Sequence, residues 1–159
     1  MVILGIDPGL AFTGYGIIES KGNRFKHIAH GAIETSKTDT QGKRLSIIYE
    51  SIVSLIKTHK PEKAGIEALY FAKNVTSGLA VSQSLGVILL ALEHCAVPVS
   101  EIAPNTVKKT VTGIALADKV QVQHCVKLIL GLPDIPKPDH AADALAIAIT
   151  SVNLSTVTV

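Results

Sequence analysis

The run VILGID at positions 2–7 constrains the fold more than any other stretch of the chain. It is continuously aliphatic apart from Gly5, ends in an acid, and is closed by Pro8 and Gly9. A short apolar run without polar alternation, bounded by turn residues, reads as a strand buried on both faces. Such a strand sits in the middle of a sheet with other layers packed on it. Asp7 is then an anomaly, because a buried unpaired carboxylate costs several kcal/mol or takes up a proton.

The rest of the chain supplies the layers. TGYGIIES follows a glycine-rich turn, and after KGN the chain continues as RFKHIAHGAIET, so the first third predicts an antiparallel meander of three strands. The period then changes. Leu45, Ile48, Ile52, Leu55 and Ile56 recur at helical spacing within 40–59, up to KTHKP. KAGIEA (63–68) is a short buried strand with Glu67 near its end, LYFAKN is a loop, a long helix spans 74–95, and VPVSEI is a fifth strand. PNTVKKTVTG, KVQVQHCVKLILGL and a last helix from about Asp139 are helical, with Asn105 or Thr106 as the cap of the first. Strands alternating with helices predict a mixed five-stranded sheet, meander first and parallel strands after, flanked by helices in one α/β domain over 1–159. In the long helix, Leu79, Val81, Leu85, Val87, Ile88, Leu89, Leu90 and Leu92 exceed one stripe. Such a helix is either central to the core or shared with a second subunit.

Bulk composition excludes little. Of 159 residues, 47% are hydrophobic and 18% charged, and the net charge of +2 permits nucleic-acid binding without arguing for it. The cations are 13 Lys and 2 Arg, a mixture suited to diffuse phosphate contact rather than bidentate base reading. Cys95 and Cys125 each follow a histidine and read as buried thiols of a reducing compartment. No basic, apolar leader opens the chain, and GVILLALE is too short to span a bilayer, so the expected location is cytoplasmic.

Glu67 and Asp143 repeat the anomaly of Asp7. Asp143 lies in HAADALAIAI, a helix otherwise built of Ala, Leu and Ile. Three acids on a central strand, a second sheet strand and a helix packing on the sheet repel one another unless divalent cations bind between them. Carboxylate oxygens suit Mg²⁺ or Mn²⁺, and two such ions serve phosphodiester hydrolysis. GIDPG alone also opens actin-like sugar kinases and chaperone ATPases. Those need a second phosphate loop and a second domain, for which 159 residues leave no room.

Taken together, GIDPGLAFTGYG, IEALYFAKN, APNTVKKTVTG, DKVQVQH and HAADALAIAI resemble, in this order and over nearly the whole chain, the RuvC family of Holliday-junction resolvases. The resemblance implies a ribonuclease H-like fold, Mg²⁺-dependent symmetric cutting of four-way DNA junctions, and a homodimer with the long helix at its interface. It also implies branch-migration partners of the RuvA and RuvB kind. The family's four metal-site positions fall on Asp7, Glu67, His140 and Asp143; the third is commonly Asp, and some relatives are similar in having His. Lys108 and Lys119 fall where the family carries lysines that handle DNA, and Lys109 lies beside the first. Tyr70 falls at the base-contacting aromatic, Phe71 fits a hydrophobic staple, Lys73 fits a phosphate contact, and Asn74 fits the long helix's cap. Without the resemblance, exposed lysines are more often a solvated helix face. A related nuclease acting on RNA and a non-catalytic junction-binding module are the competing readings.

PDHAADALA (138–146) leaves one choice open, since Asp139 and His140 lie four and three residues before Asp143 and either shares its helix face. Pro138 disfavours an earlier helical start, which makes Asp139 the expected N-cap. The family register puts the metal-site residue at His140.

Overall fold

The computed structural model describes residues 1–22, 24–68, 75–152 and 154. In chain order the elements are β1 (Val2–Asp7), β2 (Phe12–Lys21), β3 (Arg24–Glu34), α1 (Gln41–His59), β4 (Lys63–Glu67), α2 (Val75–His94), β5 (Val99–Ile102), α3 (Pro104–Thr112), α4 (Lys119–Leu130) and α5 (Asp139–Ser151). The sheet order is β3-β2-β1-β4-β5. The pairs β1–β2 and β2–β3 are antiparallel, while β1–β4 and β4–β5 are parallel. This is the predicted mixed sheet, a meander extended by parallel strands.

VILGID is buried on both faces because alternate residues enter two cores. Leu4 and Ile6 join Ile17, Ile66, Ile48, Ile52, Ile88 and Leu92 under α1 and α2. Ile3 joins Ile18, Ile102, Leu145 and the apolar sides of α3 and α4 in the other cluster, which is built around α5. Every residue of α5 from Ala141 to Ser151 is buried except Asp143.

Glycines let α5 lie so close. A Cβ on Gly5 would come 2.0 Å from the Ala144 carbonyl oxygen, and one on Gly14 would come 2.0 Å from that of His140. Only a residue without a side chain tolerates such an approach. Strand alternation then fixes the direction of two acids. Asp7 and Glu67 stand two residues beyond Gly5 and Gly65, each of which faces α5, so both point to the α5 side. The parallel register pairs Ile6 with Ile66, and Asp7 and Glu67 follow one step beyond.

The structure corrects two predicted caps. Pro138, not Asp139, occupies the N-cap position of α5, with extended backbone and its carbonyl accepting from Ala141 N at 2.9 Å. Asp139 is thereby already in the first turn, and its carboxylate turns toward α4. Helix α3 is capped at Ala103 by backbone alone, neither Asn105 nor Thr106 serving. Pro104 takes the first helical position, where its missing N–H costs nothing. The cysteines are free and half-buried rather than fully buried, Cys95 against the α1–α2 core and Cys125 against the α5 core. Tyr70, Phe71, Lys73 and Asn74 lie outside the described residues.

Candidate metal centre

Four residues distant in sequence meet at the carboxyl ends of β1 and β4. Asp7 Oδ2 accepts a hydrogen bond from His140 Nδ1 at 2.7 Å. One ligand atom each of Asp7, His140 and Asp143 can be chosen so that all lie within 4.8 Å of one another. Glu67 shares with Asp143, Lys108 and Lys119 a cavity of about 250 Å³ floored by Val107, Val122 and Ile147. Lys119 Nζ lies 3.1 Å from Asp143 and 3.5 Å from Asp139. Asp139 accepts a further bond from Gln123 Nε2 at 3.2 Å. It therefore anchors α4 and its lysine to α5, while His140 faces Asp7.

The electrostatics describe a site with too much negative charge. Burial pushes the Glu67 carboxyl up to about 7, with Asp7 and then Asp143 adding to the rise and Lys108 and Lys119 partly offsetting it. Burial also raises Asp143 above its ordinary value, despite the hydrogen bond from Lys119. His140 is raised chiefly by its hydrogen bond to Asp7, against burial. For Lys119, burial pulls downward, but the hydrogen bond and charge of Asp143 outweigh it and hold the ammonium above its ordinary range. Within the cluster, the Lys119 ammonium stands where a cation is wanted.

These residues fit divalent metal. Three carboxylates and an imidazole are hard or borderline donors suited to Mg²⁺ and Mn²⁺. Burial raises Glu67 and Asp143 first and the neighbouring carboxylates add to it, so a divalent cation placed among them would relieve both.

Of the sequence-predicted DNA residues, Lys108 and Lys119 line the cavity, whereas Lys109 is exposed and does not. Phe12 escaped the sequence reading. Its ring stacks on His140 with centroids 5.9 Å apart and planes 13° apart. The available signal was a large apolar residue in DPGLAFTG, five positions after the acid, where a turn needs none.

A meander extended by parallel strands, with acids converging at the ends of its two central parallel strands, defines a metal-dependent nuclease of the ribonuclease H-like class. Comparison with known proteins narrows this. The family model described as Crossover junction endodeoxyribonuclease RuvC matches residues 3–151. The crossover junction endodeoxyribonuclease RuvC of Treponema denticola is 58% identical over 155 residues, 98% of this chain and 87% of that protein. That of Thermosipho melanesiensis is 47% identical over 148 residues, 93% of this chain and 94% of its own. The structure of Thermus thermophilus RuvC in complex with a Holliday junction substrate superposes with a TM-score of 0.90 at 33% identity, covering 94% of this chain and 92% of that one. The chain belongs to the RuvC family of crossover junction endodeoxyribonucleases.

Proposed function

We propose that this protein is a Holliday-junction resolvase that makes paired symmetric nicks in strands of like polarity, in recombination and DNA repair. The observation that carries the reading is the convergence of Asp7, His140 and Asp143 beside Lys119, with Glu67 across the cavity it shares with Asp143. Asp7, Glu67, His140 and Asp143 would hold Mg²⁺, in two ions per site, with Mn²⁺ able to substitute. When bound, such ions supply a nucleophilic water at neutral pH and stabilise the leaving oxygen.

The chain's own groups do the rest. His140 is positioned by Asp7 and by the ring of Phe12. Lys119, held by Asp143 and Asp139, brings a fixed positive charge to the scissile phosphate, and Lys108 brings a second. Lys109 and Lys73 contact phosphates further along the strand. Tyr70 would be the aromatic that stacks on an unpaired base, and Phe71 would serve as the hydrophobic staple.

The active unit is one domain, 1–159, paired as a homodimer through the helix at 74–95. Leu79 and Leu90, eleven residues apart on one helix face, are 58% and 48% exposed, which suits a second copy there. RuvA- and RuvB-type branch-migration proteins would be its partners. The expected compartment is the cytoplasm; no helix among the described residues is long and apolar enough to cross a membrane.

The test is cleavage of an immobile four-way DNA junction beside linear duplex and an RNA counterpart, across a metal series. Metal-dependent paired nicking of the DNA junction alone is expected. Equal cutting of plain duplex or of RNA, or binding without cleavage under every metal, would overturn the reading.

A further inference from the structure

β3 carries a pair of histidines that the carboxylate centre does not use. His27 and His30 are three residues apart, and strand alternation would put them on opposite faces. The β2–β3 ladder pairs Ile17 with Ala29 and Ile18 with His27, so Ile28 is an extra residue on β3. A bulge of this kind re-aims the side chains beside it. Here it brings both imidazoles together, His27 Nε2 lying 2.7 Å from His30 Nδ1 with ring centroids 4.9 Å apart. His30 also lines a groove with His124 and Lys127 of α4 and with Asp134 and Lys137 of the segment before α5.

We propose that His27 and His30 form a two-histidine binding site for a borderline transition-metal ion such as Zn²⁺ or Ni²⁺, separate from the carboxylate centre and with its remaining positions filled by water. Metal–imidazole bonds of about 2.0–2.1 Å at tetrahedral or octahedral angles put neighbouring nitrogens roughly 2.9–3.4 Å apart. The pair must open by a few tenths of an ångström from its present contact, and each ring must turn so that its lone pair meets the ion rather than the other nitrogen. The proton that bridges the two nitrogens moves to the other nitrogen of its own ring. The ion then meets two neutral imidazoles, and the pair's protonation is unchanged. Burial keeps both rings below their ordinary pKa, and for His27 the neighbouring His30 adds to this, so the neutral form costs nothing near pH 7. Lys127 and Lys137 line the same groove. Nitrogen donors disfavour Mg²⁺, so the two sites select different ions.

The test is calorimetric titration of Zn²⁺ into the full chain in saturating Mg²⁺, repeated with an Asp7→Asn, Asp143→Asn variant that disables the carboxylate centre. One Zn²⁺ per chain is expected in both, with the ring resonances of His27 and His30 shifting on binding. His27→Ala or His30→Ala should weaken binding about tenfold or more by leaving a single imidazole. Each should leave Mg²⁺-supported nuclease activity unchanged. His124→Ala and Asp134→Asn should leave Zn²⁺ affinity unchanged, and a tenfold loss in either would overturn the two-histidine donor set. Absence of saturable Zn²⁺ uptake, undiminished affinity in His27→Ala, or loss of nuclease activity in His30→Ala would overturn the site.

Discussion

Glu67→Gln should stabilise the metal-free protein while abolishing its activity. The Glu67 carboxyl stands at about 7 in the folded chain against an ordinary 4.5. Below pH 4.5 both folded and unfolded chains hold the proton, and the group is neutral to stability. As pH rises, the unfolded chain releases the proton first, so stability falls between about 4.5 and 7 and stays lower above. The 2.5-unit difference (7 minus 4.5) corresponds to about 3 kcal/mol at most. Partial access of water brings the expected effect to about 1–3 kcal/mol. Gln has nearly the same shape and no charge to ionise. In chelator at pH 8 the variant should therefore melt higher, by about 2–4 °C per kcal/mol for a chain of this size. At pH 5 the difference should shrink towards zero. Adding Mg²⁺ should reverse the order, because the native protein gains more from the ion. Thermal melts at the two pH values, with and without Mg²⁺, make the measurement. A variant that is less stable than the native chain in chelator at both pH values would refute the reasoning, since Glu67 would then be stabilising as a hydrogen-bonded anion.

Two further outcomes follow from the same geometry. Gly14→Ala places a methyl 2.0 Å from the His140 carbonyl oxygen. It should cost about 1–3 kcal/mol in a denaturant titration, and roughly a hundredfold in junction cleavage through displacement of His140. Gly42→Ala, where a Cβ meets nothing within 4 Å, is the control and should leave both unharmed. His140→Ala should abolish cleavage, with the native enzyme well supported by Mn²⁺ because one donor is an imidazole, whereas Asp139→Ala should cleave slowly through a looser Lys119. Rates over a metal series check this, and an inactive Asp139→Ala beside an active His140→Ala would reverse the two roles.

Strand and helix order were legible in the sequence because each element declares its own period. The aliphatic VILGID and the 3.6-residue spacing of Ile48, Ile52 and Ile56 describe local burial, and local burial is what the sheet and α1 express. The acids were legible for the opposite reason, since Asp7, Glu67 and Asp143 contradict their apolar surroundings. The caps of α3 and α5 were not, because Ala103 and Pro138 cap with backbone atoms that every residue possesses. Nor was the stacking of Phe12 on His140, which depends on how the start of β2 meets the first turn of a helix 128 positions further on (140 minus 12). The bulge at Ile28 also leaves no trace in RFKHIAHGAIET, because it arises from pairing with β2 rather than from any residue within the run.

The bond between His140 and Asp7 joins positions 133 residues apart. At about 5–20 residues per second, a ribosome needs roughly 7–27 s to pass from one to the other. For the last 73 of those residues (140 minus 67) the growing chain holds the acids of β1 and β4 without α5, and the face that α5 covers is still bare. The site therefore lacks two of its four residues until α5 is made. The helix that closes the second core also delivers His140 and Asp143, so completing the fold and arming the nuclease are one event.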